Sequence, residues 1–507
     1  MDSSGKGAPL ARHGSNPDLT VIDDENARVK EFKDPTTIVV VGASGDLAHK
    51  KTFPALFSLY YHGLLPQRFH IVGYARKALD LEGWRSNILL NLACRVLDQK
   101  DCATKMEEFI ERLSYISGQY DSADDFAKLD AYLEDLEDKQ PTGRLFYLAI
   151  PPNVFGAAMG SIKASAIAKN AWTRVVVEKP FGRDTESYME LRNQCAAHFQ
   201  EEQLYRIDHY VGKEVVQNMV VLRFANFIFE QLWCKENIRD MHIIFEENFG
   251  TEGRAGYFDQ FGIIRDIMQN HLLQVLAYLT MERPKSLHAA DINRVKTKLL
   301  SEIMPLKARD FVVGQYEGYR EEDGVPEGSV TPTFAACVMY INNQQWEGVP
   351  FFLTAGKNLH NRKAEVRVRF KKGHSMDFFP GEEVGNEIII RIQPDEAVSL
   401  RVVNKVPGLA KDLAYTSLDL LYKDAFEKES KDIADAYERL ILDAIHGEKS
   451  LFVHDEQLRI SWELFTPALK ELESEDSPVK PVLYTPGSKG PPEADDLRHI
   501  HRAMVEP

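Results

Sequence analysis

The chain has 507 residues, of which 44% are hydrophobic and 27% charged, with a formal net charge of −16. That length suits two or three domains of an ordinary globular protein rather than one small core. The negative charge disfavours nucleic acid and anionic membranes as partners, and no apolar run approaches the roughly 18 residues that a membrane-crossing helix needs.

Residues 1–35 are polar, mixed in charge and without an apolar signal core, so they read as a flexible tail. With no targeting motif recognised, the expected location is the cytoplasm. Cys94, Cys102, Cys195, Cys234 and Cys337 form no CxxC pair and no zinc-spaced cluster, so reduced thiols and no metal site are expected.

The first structural signal is TTIVVV (36–41), a β-branched strand that runs into a glycine turn and then a helical apolar pattern, LAHKKTFPALFSLYYHG. Gly42 and Gly45 allow close approach of a phosphate bridge, and the following helix start supplies N–H donors. The turn residues Gly42, Ser44, Gly45, Asp46 and Leu47 are therefore candidate cofactor contacts. The next strand, RFHIVGYAR (68–76), ends in Arg76, where an NAD enzyme usually carries an acidic residue. Arg76, with Lys51 in the preceding helix, suits a 2′-phosphate and favours NADP over NAD. RLFYLAI (144–150) and RVVVEKP (174–180) continue the alternation of strands and helices, which gives βαβ units and a doubly wound, Rossmann-like parallel sheet. Lys179 stands at the C-terminal end of the last of these strands, where open α/β sheets place ligands, and it precedes a proline that admits a cis bond.

YRIDHYVGKE (205–214) concentrates Asp208, His209, Tyr210 and Lys213 in six residues, a set of cations and hydroxyls suited to a phosphomonoester. His209 and Lys213 share a face if this segment is helical. FGIIRDIMQNHLLQVLAYL (261–279) reads as a mainly apolar helix with His271 on its packed stripe, a position that needs a carboxylate partner to become chemical. HIIFEENF, FAACVMYINN, VPFFLTAGK, KAEVRVRFKKG, NEIIIRIQP and VSLRVVNK then predict a large, mainly antiparallel sheet. In ADAYERLILDAIHG, Asp435 is a helix N-cap and Gly447 its stop. The boundaries read as a tail at 1–35, a dinucleotide-binding domain at 36–207, an α+β domain at 208–490 and a loosely held C-terminal tail at 491–507.

GASGDLA, EKPFG, RIDHYVGKE, FGTEGRAGYFDQFGIIRDIMQNHL and GKNLHNRKAEVR occur in the order found in glucose-6-phosphate dehydrogenases, and the chain resembles that family across roughly residues 36–490. The resemblance implies oxidation of glucose 6-phosphate at C1 with NADP, the first oxidative step of the pentose phosphate pathway. It implies His271 as the general base, Asp208 as the carboxylate that orients it, and His209, Tyr210 and Lys213 as phosphate binders. Lys179, Glu247, Asp266, Lys357 and Gln393 match sugar-binding positions, with Lys179 also near the nicotinamide.

Some members of the family hold a second, structural NADP, and Lys363, Arg367 and Arg391 match cationic positions of that site. Such relatives continue with an aromatic-containing segment beyond the point where this chain ends. His49 and Phe155 stand where many relatives carry Lys and Tyr. The resemblance also implies a homodimer, or a dimer of dimers, built through the antiparallel sheet. Two rival readings share the scaffold: a sugar or polyol dehydrogenase of the Lys-Pro type that needs no phosphate group, and a non-catalytic NADP sensor.

Overall fold

The computed structural model describes residues 32–94, 99–372, 385–426 and 434–504. The tail expected at the N-terminus lies, up to residue 31, outside the described residues.

Six strands form the first sheet: β1 (Thr36–Val41), β2 (Phe69–Ala75), β3 (Leu113–Ser117), β4 (Gly143–Leu148), β5 (Thr173–Val177) and β6 (Leu204–Arg206). Their order is β3-β2-β1-β4-β5-β6 and every pair is parallel. All residues of β1 and β4 are buried, which is why their sequences are continuous apolar runs rather than alternating ones. The chain reverses its winding between β1 and β4, so the crevice beyond their C-terminal ends is the place for a ligand.

The second sheet has nine strands: β7 (Ile238–Glu246), β8 (Phe311–Tyr316), β9 (Phe334–Met339), β10 (Phe351–Gly356), β11 (Lys363–Phe370), β12 (Glu387–Gln393), β13 (Ala397–Lys405), β14 (Leu413–Leu421) and β15 (Val482–Tyr484). Its order is β14-β13-β12-β11-β7-β10-β9-β8-β15. The sheet is mainly antiparallel, as the sequence predicts, but β10 runs parallel to β7 and β15 parallel to β8. At one edge, β14 is exposed over nearly its whole length, including Tyr415, Leu418 and Leu420.

Helices late in the chain return to the first sheet. Helix Ala436–His446 starts on the Asp435 side chain, which accepts from Tyr437 N at 2.9 Å, and stops at Gly447 with φ 82°. Arg174 at the start of β5 donates to the carbonyl of Ala444 at 3.0 Å. Helix Asp455–Glu473 is tied to the same layer: Asp455 accepts from Tyr188 Oη at 2.6 Å and Arg192 Nε at 2.7 Å, and Trp462 Nε1 donates to Phe181 O at 2.7 Å.

Two expectations are corrected. Cys94 and Cys102 form a disulfide with Cα atoms 6.1 Å apart, leaving Cys195, Cys234 and Cys337 as the free thiols. Helix Leu81–Leu89 packs against helix Gln99–Glu111, and this tertiary closeness is invisible to spacing rules written for CxxC. The C-terminal segment is not loosely held: it forms helix Glu493–Ala503, with His501 Nδ1 and Tyr340 Oη sharing a hydrogen bond at 2.7 Å and Arg502 pairing with Asp240 at 3.1 Å. Acidic residues in its first turn and His501 and Arg502 in its last suit the helix dipole, and Pro491 and Pro492 sit before its start, where they break no helical hydrogen bond.

Candidate active site

At the nucleotide end, β1 leads straight into the turn at Gly42, whose φ is +92°. A Cβ there would stand 2.3 Å from the Ala149 carbonyl oxygen, so glycine is required for the turn to lie against the end of β4. Gly45 N donates to Gly42 O at 2.9 Å, closing the turn ahead of a helix that contains a π-helical stretch, Ala48–Thr52, before continuing as Phe53–Tyr61. Ser44 and Asp46 are exposed on the turn, Asp46 pairs with Lys50 at 2.8 Å, and Leu47 is half-buried. Arg76 is exposed at the end of β2, its guanidinium 5.3 Å from the Tyr120 ring centroid. A backbone cradle at the switch point with a cation at the second strand end fits a dinucleotide carrying a 2′-phosphate.

Lys51 lies in the π-helical stretch, its Nζ 5.9 Å from the ring centroid of Tyr437, and its positive charge helps to lower the pKa of Lys213.

The chemical centre is built where β6 ends and the helix of residues 264–280 begins. That helix is π-helical over Ile264–Leu272 and regular over Leu273–Thr280. His271 is 1% exposed, and its Nδ1 lies 2.5 Å from Asp208 Oδ1, which also accepts from Tyr210 N at 3.0 Å. The imidazole thus has the carboxylate partner that its position on an apolar stripe calls for. Burial alone would raise the Asp208 carboxyl, but the charges of His271 and His209 and the hydrogen bonds from His271 and Tyr210 hold it at about 2. Burial pushes His271 below its ordinary value, and the attraction of Asp208 only partly restores it. The imidazole is therefore neutral and oriented near pH 7.

The phosphate-type residues surround this pair. The His209 ring centroid is 4.5 Å from that of His271 and stacks on Tyr437 at 5.9 Å, while the Tyr210 ring stacks on His271 at 4.6 Å. Burial and the neighbouring His271 drive His209 well below the usual imidazole range. The segment is a series of turns rather than a helix, so His209 and Lys213 do not share a helical face. Lys213 is instead the N-cap residue of helix Glu214–Phe224, with Nζ 5.4 Å from the Tyr210 ring.

On the sugar side, Lys179 Nζ donates to Asp266 O at 2.8 Å and to its carboxylate at 3.1 Å. The Lys179–Pro180 bond is cis. Burial would raise Asp266, but Lys179 and Lys357 keep it ionised. Lys357 and Glu247 form a close ion pair. Gln393 ends β12 opposite Ala364, which pairs on its other side with Phe245, two residues before Glu247.

Two residues of this centre escape sequence reasoning. Tyr437 reads only as part of an apolar stripe, yet it stands between Lys51 and His209. Glu178, beside Lys179, is 6% exposed and accepts from Tyr147 Oη; burial pushes its carboxyl up to about 7. Glu178 falls within the EKPFG motif, but the motif reading weighs only Lys179, and no periodicity singles out either residue.

A second basic region lies across β7, β10 and β11 under the C-terminal helix. Lys363, Arg367, Arg369, Lys489, Arg498 and Arg502 line a cavity of 420 Å³ together with His242 and His360. Arg391 does not line it: one strand further out, its Nε donates to the carbonyl of Asp395 at 2.7 Å.

A switch-point nucleotide crevice and an adjoining buried His–Asp pair ringed by cations are the features of a nicotinamide-dependent oxidoreductase acting on a hydroxyl group. The model of the glucose-6-phosphate dehydrogenase NAD-binding domain matches residues 39–218, and that of the C-terminal domain of the same enzymes matches residues 220–504. The chain belongs to the glucose-6-phosphate dehydrogenase family. It is 51% identical over 473 residues to glucose-6-phosphate 1-dehydrogenase 1, chloroplastic, of Arabidopsis thaliana, covering 90% of this chain and 81% of the relative. It is 49% identical over 477 residues to the glucose-6-phosphate 1-dehydrogenase of Dictyostelium discoideum, covering 91% and 93%. A solved glucose-6-phosphate dehydrogenase in complex with its substrate glucose-6-phosphate superposes with a TM-score of 0.87 at 42% identity, over 93% of this chain and 98% of that one.

Proposed function

We propose that the protein oxidises D-glucose 6-phosphate at C1 to 6-phospho-D-glucono-1,5-lactone. NADP, when bound, supplies the hydride acceptor. The observation that carries the reading is the 2.5 Å pairing of His271 with Asp208 at the mouth of the nucleotide crevice. His271 takes the proton of the C1 hydroxyl at its free Nε2, and Asp208, fixed by Tyr210 N, stabilises the imidazolium that forms. His209, Tyr210 and Lys213 hold the substrate phosphate, joined by Lys51 and Tyr437, which the structure brings to the same side. Lys179, Asp266, Glu247, Lys357 and Gln393 orient the sugar. The glycine turn with Ser44, Asp46 and Leu47 cradles the pyrophosphate, and Arg76 selects the 2′-phosphate.

The test is nicotinamide reduction with glucose 6-phosphate, using NADP and NAD in parallel and glucose as control. Rapid reduction of NADP with the phosphosugar and little with glucose supports the reaction and the phosphate cluster together. Comparable turnover of glucose would favour the unphosphorylated-sugar reading, and NADP binding without turnover the sensor reading.

The basic cavity of Lys363 and Arg367 is our candidate for a second NADP, supported by its six lining cations; two nucleotides per chain in calorimetry are expected. The exposed edge at β14 supports assembly as a homodimer or tetramer, to be read from the mass by light scattering. The cytoplasm is our reading of its site of action; relatives of both compartments match, one cytoplasmic at 48% identity over 487 residues and one chloroplastic at 51% over 473. Cell fractionation tests it.

A further inference from the structure

In a regular helix Asp266 O would accept from the backbone N–H of Asn270, and His271 N would donate to Ile267 O, each four residues back. Over Ile264–Leu272 the helix is instead π-helical, with the wider turn that closes on the fifth residue. The half-buried Asn270 side chain takes up the groups that the regular pattern would pair. Its Nδ2 donates to Asp266 O at 3.0 Å and to Arg265 O at 3.2 Å, and its Oδ1 accepts from His271 N at 2.6 Å. The carboxamide is thus engaged on the backbone of this one turn, its amide toward two carbonyls and its oxygen toward an N–H. A side chain that competes for the backbone groups of its own helix shifts the local balance away from the regular form.

The two carbonyls held by Asn270 belong to the residues that join this helix to the loop after β5. Lys179 Nζ donates to Asp266 O at 2.8 Å, so that oxygen serves Lys179 and Asn270 together. Arg265 Nε donates to Arg183 O at 2.7 Å. On the other side of Asn270 stands His271, whose ring is held from outside the helix: Asp208 Oδ1 lies 2.5 Å from its Nδ1, and the Tyr210 and His209 rings lie 4.6 and 4.5 Å away. Asn270 holds the backbone from which that ring projects. Regular and π-helical turns differ in rotation per residue, so they aim His271 differently relative to Asp266 and Lys179.

We propose that Asn270 is a positioning residue for the reaction, its carboxamide holding the π-turn that presents His271 Nε2 to the C1 hydroxyl in register with Lys179. The inference rests on the base assignment made above. The role requires no contact between Asn270 and the substrate, so its loss acts on the rate of the chemical step rather than on binding.

The experiment compares wild type with Asn270→Ala, Asn270→Asp and a control from the same stretch, Gln269→Leu. Gln269 Nε2 donates to Ser461 Oγ at 2.7 Å, on helix Asp455–Glu473, so its replacement loosens packing without touching the turn. The readouts are melting temperature, the single-turnover rate of NADP reduction by glucose 6-phosphate, equilibrium binding of both ligands, and the downfield proton resonance of the His271–Asp208 hydrogen bond. In Asn270→Ala the single-turnover rate is expected to fall by about tenfold or more, with both dissociation constants within about twofold of wild type and the downfield resonance shifted. Asn270→Asp keeps an acceptor for His271 N but sets an oxygen against Arg265 O and Asp266 O, and is expected to lose at least as much. Gln269→Leu is expected to melt earlier while keeping the rate within about threefold. A folded Asn270 variant with a near-wild-type rate overturns the proposal. So does a loss that appears as weaker phosphosugar binding, which makes Asn270 a substrate contact, or an equal slowing in Gln269→Leu, which makes the effect general loosening. If the alanine variant does not fold, the aspartate variant carries the test; failure of both to fold places Asn270 in the scaffold and overturns the proposal too. His271→Asn separates the two levels: if it retains turnover, the base assignment fails; if it loses turnover while the Asn270 variants keep theirs, this inference alone fails.

Discussion

Lys179, at the end of β5 in the parallel sheet, donates to both the backbone carbonyl and the carboxylate of Asp266, on the helix that carries His271. The nucleotide layer and the proposed base are thereby held in register by one side chain. Replacing Lys179 by alanine removes that tie and leaves the half-buried Asp266 carboxylate without this cation. Turnover is expected to fall by about 10²-fold or more, with a smaller change in NADP affinity. Steady-state kinetics alongside nucleotide titration check it; a rate within threefold of wild type counts against the assignment.

His271→Asn keeps the size and polarity of the side chain but cannot accept the proton. The expected loss in kcat is about 10²–10⁴-fold, with phosphosugar binding largely retained. The check is a single-turnover rate paired with equilibrium binding of glucose 6-phosphate.

The pH dependence has a definite direction. As the proposed base, His271 must be neutral to act, and burial holds its pKa below the ordinary 6.5. Activity is therefore present above that region and lost as pH falls through the lowered value, so the acid limb of kcat/KM is expected below pH 6.5. The substrate phosphate also ionises near pH 6. Glucose lacks that group, and the same limb with glucose assigns the titration to the enzyme.

Lys213 lies among Tyr210, Lys51, Asp435 and Glu396, and is proposed to hold the phosphate rather than the reacting carbon. Lys213→Ala is expected to raise KM for glucose 6-phosphate by about tenfold or more, with kcat falling less. An unchanged dissociation constant would remove Lys213 from the phosphate cluster.

Peptide mapping without reductant is expected to find Cys94 joined to Cys102, with Cys195, Cys234 and Cys337 alkylatable after unfolding. Recovery of five free thiols would contradict the pairing.

What the residues reveal of this protein follows the range of the forces involved. The strands β1, β2, β4 and β5 are legible because burial on both faces writes itself as apolar runs, and Asp435 and Gly447 because caps are local chemistry. The strands β14 and β15 are not, since one is largely exposed and the other is three residues long. Asp208, His209, Tyr210 and Lys213 are adjacent in sequence and so stand out together, while the pairing of Asp208 with His271 across 63 residues is a tertiary fact. The contact of Lys51 with Tyr437 is likewise tertiary, and Tyr437 is overlooked because an aromatic ring at helical spacing looks like core.

The return of the late helices to the first sheet has a consequence for synthesis. Arg206 ends β6, yet Asp455, whose carboxylate ties down Tyr188 and Arg192, follows about 250 residues later. At roughly 5–20 residues per second, a ribosome takes on the order of 12–50 s to cover that stretch. For that interval the nascent nucleotide layer lacks the carboxylate that ties down Tyr188 and Arg192, and this flank is covered only when the helix beginning at Asp455 has emerged.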